Sequence, residues 1–171
     1  MNNLIKLLPA ILIISTACSQ KEATQPNSTN IKPVIATDTV SQNNGLITTS
    51  SPYDVAKTSD RLENIIKRKG LTFFTRINHS DNAKNVELEL NPTEVLIFGN
   101  PKAGTPLMKC AATTAIDLPQ KILVYQDANN QTQIVYNDPK YLQQRHNIVN
   151  CDRVLKKVSE VLETIVTEAI K

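Results

Sequence analysis

Tryptophan is missing from this chain of 171 residues, and only three phenylalanines and four tyrosines supply aromatic rings. A domain of this size draws on most of its few aromatics for its core; the other reading is that Tyr125, Tyr136 and Tyr141, with Phe73, Phe74 and Phe98, line an apolar pocket. An excess of one charge is missing too, with 19 Lys and Arg against 16 Asp and Glu. Nucleic-acid binding calls for a strongly basic face, and no stretch here combines clustered Lys or Arg with interleaved aromatics. Nucleic acid is therefore excluded as an expected partner, along with any partner held mainly by charge. The apolar run at Leu7–Ile14 is too short for a bilayer core, which takes about 20 residues. Histidine occurs twice, as His79 and His146, with no His-x-x-x-His, Cys-x-x-Cys or His-Glu-x-x-His spacing, so nothing local predicts zinc. No serine sits in a Gly-x-Ser-x-Gly elbow.

The chain opens with a weakly basic start (Met1 to Lys6), then the apolar run, then Ser15-Thr16-Ala17-Cys18. This is the layout of a secretory signal. The Ala17-Cys18 junction resembles the lipobox of bacterial lipoproteins, with Ser15 where that pattern usually has Leu. The expectation is lipidation at Cys18. Ser19, not Asp, follows the cysteine, which by the sorting rule of lipoproteins points to the outer membrane, facing the periplasm. Ser19 to Ser50 is rich in Ser, Thr, Asn and Gln, carries Pro26 and Pro33, and shows no apolar periodicity. Such composition cannot bury enough surface to offset ordering entropy, so it reads as a disordered tether spanning about 30 Å. The expected organisation is a lipoprotein signal at 1–17, lipidated cysteine and linker at 18–50, and one folded domain at 51–171.

Cys110 and Cys151 remain as an even pair in a compartment that permits disulfides. A bond between them is one expectation; two buried thiols, or a reactive Cys151 beside a helix start, are the others.

Within the domain, Ser51-Pro52-Tyr53-Asp54 reads as a cap-then-proline helix start, with apolar Val55, Leu62, Ile65 and Ile66 following at helical spacing and Gly70 closing the helix. Leu71 to Asn78 alternates as a strand, Asp81 to Leu90 is ambiguous with a short helix as one option, and Val95 to Gly99 reads as a buried strand. Thr105-Pro106 predicts the start of a helix, 121–127 and 132–137 a hairpin, and Asp138-Pro139 a short helix ending near His146. Val154, Leu155, Val158, Val161, Leu162, Ile165, Val166 and Ala169 make one apolar helical face. Without strict strand–helix alternation, the pattern predicts an α+β fold, a mostly antiparallel sheet with helices packed on one face.

The spacing of Gly99 and Gly104 invites comparison with a phosphate-binding loop, but Thr105 and Pro106 stand where that loop needs a lysine and a hydroxyl. Two readings remain: a helix start after Thr105 whose backbone N–H groups hold a small anion, or a tight strand-to-helix turn. For His79 and His146, with Asp81, Asp138 or Asp152 as third ligand, a metal site stands against solvated or capping histidines.

Two blocks carry a family resemblance: Phe98 to Met108 (FGNPKAGTPLM) and Tyr136 to His146 (YNDPKYLQQRH), supported by RINHS at 76–80, LELNPTEVLIF at 88–98 and IDLP at 116–119. In this order they resemble domain-of-unknown-function family 302. The resemblance implies a compact α+β domain, associated as a homodimer and sometimes exported, and implies no reaction. Its polar signature falls on His79, Asn100, Thr105, Asn137, Tyr141 and His146, the candidate ligand-binding residues. Cys110 and Cys151 depart from the family pattern, which favours a private structural role. The functional expectation is a lipid-anchored, dimeric binding or interaction module for a small anion or an envelope protein. The alternative is a small metal-dependent or redox enzyme using His79 and His146. No particular cofactor is indicated.

Overall fold

The computed structural model describes residues 44–171; the signal segment, Cys18 and the linker up to residue 43 lie outside the described residues. The elements are β1 (Leu46–Ser51), α1 (Val55–Arg68), β2 (Thr72–Asn78), α2 (His79–Lys84), β3 (Thr93–Gly99), α3 (Pro101–Cys110), a 3-10 turn (Ala112–Ile116), β4 (Gln120–Gln126), β5 (Thr132–Asn137), α4 (Pro139–Arg145) and α5 (Asp152–Ala169). The strands form one sheet in the order β1-β5-β4-β3-β2, with every neighbouring pair antiparallel. The fold is α+β, as the pattern of elements predicts.

Residues opposite one another in antiparallel strands share a face. One row runs Ile47–Tyr136–Ile122–Leu96–Arg76 across all five strands. Ile122 and Leu96 are fully buried there, beneath α1 and α5. Both helices bury the stripes their spacing predicts: Val55, Leu62, Ile65 and Ile66 on α1; Leu155, Val158, Leu162, Ile165, Val166 and Ala169 on α5. At the β2 edge the row ends in a charge. The Arg76 guanidinium donates to Glu94 at 2.8 Å and to Asp60 of α1 at 2.6 Å, so the buried Glu94 carboxylate is paired.

Three local expectations need correction. Residues 46–50, expected within the tether, belong to the edge strand Leu46–Ser51, whose backbone groups pair with β5. Its order comes from a partner more than 80 residues away, so no apolar periodicity of its own was required. Ser51 does not cap α1: it ends β1, its hydroxyl bonds Thr58 Oγ1 at 2.7 Å, and the cap is Asp54, which accepts from the Lys57 N–H. Finally, α3 starts at Pro101, not after Thr105; Asn100 caps it by accepting from the Lys102 N–H at 2.9 Å. Thr105 thus lies inside the helix, where its N–H faces the preceding turn and offers nothing to an anion.

Cys110, at the end of α3, and Cys151, just before α5, form a disulfide with Cα atoms 6.5 Å apart. The bond ties two elements whose packing also buries Leu107 and Val158.

Candidate functional site

The end of the sheet where β3 stops and β4 begins opens into a cavity of about 300 Å³, walled almost entirely by carbon. Phe74 of β2 forms one wall, Gly104 and Met108 of α3 another, and Leu118 and Pro119, joined by a cis peptide, the third. Phe74 is 54% exposed, which is unusual for one of only three phenylalanines; the cavity is what it faces. Local sequence builds this shape. Asn100 and Pro101 start α3 directly at the end of β3, so the helix turns back over the strand end. Gly99 and Gly104 present no side chain towards the neighbouring walls: a Cβ on Gly99 would meet Phe74 at 3.5 Å, and one on Gly104 would meet Leu118 at 3.6 Å.

The turn between α3 and β4, which supplies Ala115 and Leu118 to the cavity, is held from behind by His146. The His146 ring is nearly buried. Its Nε2 lies 2.5 Å from Asp117 Oδ2 and its Nδ1 3.0 Å from Thr113 Oγ1. Arg145 adds a longer contact to Asp117 at 3.6 Å. With both ring nitrogens engaged, His146 is a fastener between the end of α4 and the cavity's outer wall.

Of the six sequence-predicted residues, Asn100 and Thr105 line the cavity and His146 braces its wall. Asn137 and Tyr141 stand at the same end of the sheet, at the β1–β5–α4 corner, where the Tyr141 ring packs on Gly45. His79 is elsewhere. It follows Asn78, whose partner Glu94 lies near the opposite end of β3, so the strands put it about 20 Å from the cavity end. The two histidines therefore share no site, and among the described residues no three His, Cys, Asp or Glu side chains group to hold a metal. Phe74 is one of the aromatics that the sequence offers either to the core or to an apolar pocket, and it lines the cavity. Thr113, Asp117 and Leu118 were missed; for the last two the signal was present in the IDLP block, and nothing in the sequence marked Thr113.

Comparison with known proteins places this geometry in context. The profile of the family described as domain of unknown function DUF302 matches residues 47–165. A crystal structure of an uncharacterised DUF302 protein from Bacillus stearothermophilus superposes with a TM-score of 0.67 at 20% identity, covering 74% of this chain and 98% of that one. Two proteins named fluoride-specific ion channel FluC 1, from Brucella suis and Brucella abortus, are each 41% identical over 104 residues, 61% of this chain. The match takes in 41% and 38% of their respective lengths, so this chain spans about two-fifths of the curated relatives it matches. None of the described helices is long and apolar enough to cross a membrane. The cavity is built from the blocks Phe98–Met108 and Ile116–Pro119, both inside the matched span, and the chain belongs to DUF302, a family of unknown function.

Proposed function

We propose that this domain is a binding module, not an enzyme, and that the cavity between α3, the β3 end and Pro119 takes a small apolar molecule. The observation that carries the reading is the cavity itself: a carbon-lined space of about 300 Å³ is the lower end of the size range of ligand sites. Asn100 and Thr105 at its edge supply the few polar groups that orient such a ligand. The separation of His79 and His146 counts against the alternative of a metal or redox enzyme using both. In the same reading the module is anchored through a lipid on Cys18, faces the periplasm and works as a homodimer, each of which follows from the sequence pattern or the family resemblance. The fluoride channel named for the Brucella relatives is not carried over to this chain.

Titration with the uncharged fluorophore N-phenyl-1-naphthylamine tests the reading. Saturable binding is expected in the natural protein and its loss in Gly104→Leu, which fills the cavity from a helix position without backbone strain. Unaltered binding by a folded Gly104→Leu variant, or no saturable binding at all, would overturn it.

A further inference from the structure

A second cleft lies between β1, β5 and α5 and shares no lining residue with the apolar cavity. Its volume is about 430 Å³. At its floor stands Tyr136, only 6% exposed, whose hydroxyl has no hydrogen-bond partner among the described residues. The ring is buried while the hydroxyl opens on the cleft, so it is available to whatever enters there. Two carboxylates, Asp138 and Glu163, stand at the walls. Asp138 accepts one backbone N–H, that of Lys140, and Glu163 makes no salt bridge among the described residues. Lys140 also lines the cleft, and its ammonium makes no ion pair with either carboxylate. Burial, then the charges of Glu163 and Asp138, push the Tyr136 phenol above its usual range.

We infer that this cleft binds a small organic ammonium ion. Glu163 and Asp138 would carry the charge, the Tyr136 and Ser159 oxygens would accept its N–H groups, and Ile47 and Val166 would cover its alkyl part. The Ser159 hydroxyl already donates to the Leu155 carbonyl at 3.1 Å, which leaves its oxygen as an acceptor. A divalent metal fits poorly, because calcium takes six to eight oxygens and a tight cage, whereas only two carboxylates converge here. An ammonium ion needs one compensating charge and a few acceptors, which is what the cleft offers. This site goes beyond the apolar-ligand reading and stands or falls separately from it.

The test is an amide NMR titration of the full chain with n-butylammonium, with n-butanol as the uncharged counterpart of the same shape. Saturable shifts are expected around Tyr136 and Glu163, with n-butanol weaker by about tenfold or more. Glu163→Gln, on an exposed helix position, and Tyr136→Phe should each weaken n-butylammonium by about tenfold while leaving N-phenyl-1-naphthylamine binding unchanged. Equal affinity for the alcohol, undiminished binding by Glu163→Gln, or the absence of saturable shifts in the cleft would overturn the proposal.

Discussion

His146 Nε2 stands 2.5 Å from Asp117 Oδ2, and through this contact the last residue of the YNDPKYLQQRH block fastens the loop that walls the apolar cavity. The two residues are 29 positions apart and belong to separate family blocks. Their meeting explains why both blocks serve one cavity although only the first lines it.

Breaking that contact should loosen the wall. His146→Ala and Asp117→Asn are each expected to destabilise the domain by about 2 kcal/mol in urea unfolding, the range for hydrogen bonds to charged groups. The double variant should cost clearly less than the sum, because the two share one interaction. Fully additive losses would show that the residues act separately.

The disulfide makes a larger demand. Closing a loop whose ends are 41 positions apart stabilises by roughly 4 kcal/mol on chain-entropy grounds. Replacing Cys110 and Cys151 with serine together should lower the melting temperature by well over the error of calorimetry, and dithiothreitol should reproduce the effect in the natural protein. A variant melting with the parent would mean that α3 and α5 hold each other without the bond.

Two glycines with positive φ separate strain from space. Gly70, at φ +68°, closes α1, and nothing lies within 4 Å of the point where a methyl group would stand. Gly70→Ala should therefore cost about 1 kcal/mol from backbone strain alone. Gly45, at φ +74°, packs so closely on Tyr141 that a methyl group would overlap the ring. Gly45→Ala should cost distinctly more, and Tyr141→Ala should relieve part of the difference. Equal losses at the two glycines would contradict the packing at the β1–α4 corner.

The four tyrosines report on the polar cleft in a chain without tryptophan. Burial first, then Glu163 and Asp138, raise the Tyr136 phenol above its ordinary value of 10.0. Because the unfolded chain ionises first, this group's contribution is complete below about 10 and fades as pH rises through the folded value. Phenolate absorbance should show one late-titrating tyrosine, absent in Tyr136→Phe and shifted down in Glu163→Gln. Four indistinguishable titrations would contradict the burial of Tyr136 beside Glu163 and Asp138.

How much was legible depends on how local each feature is. The β4–β5 hairpin, the Asp138-Pro139 start of α4 and the apolar face of α5 are written in neighbouring residues, and the structure matches them. The start of α3 was misread because Asn100-Pro101 and Thr105-Pro106 are equal as local signals. Asn100 wins because β3 ends at Gly99, and its side chain is there to take the first free N–H. β1 was invisible because a polar edge strand owes its order to β5.

By itself the sequence determined the fold class and the family, since periodicity, caps and motif blocks are properties of the chain read in order. Only the tertiary structure decided which of the signature residues meet. It brought Asp117 to His146, set Phe74 against Leu118, sent His79 to the far end of the sheet and left the Tyr136 hydroxyl facing a cleft. These outcomes depend on strand register and on the order β1-β5-β4-β3-β2, which arise from contacts between segments far apart in sequence.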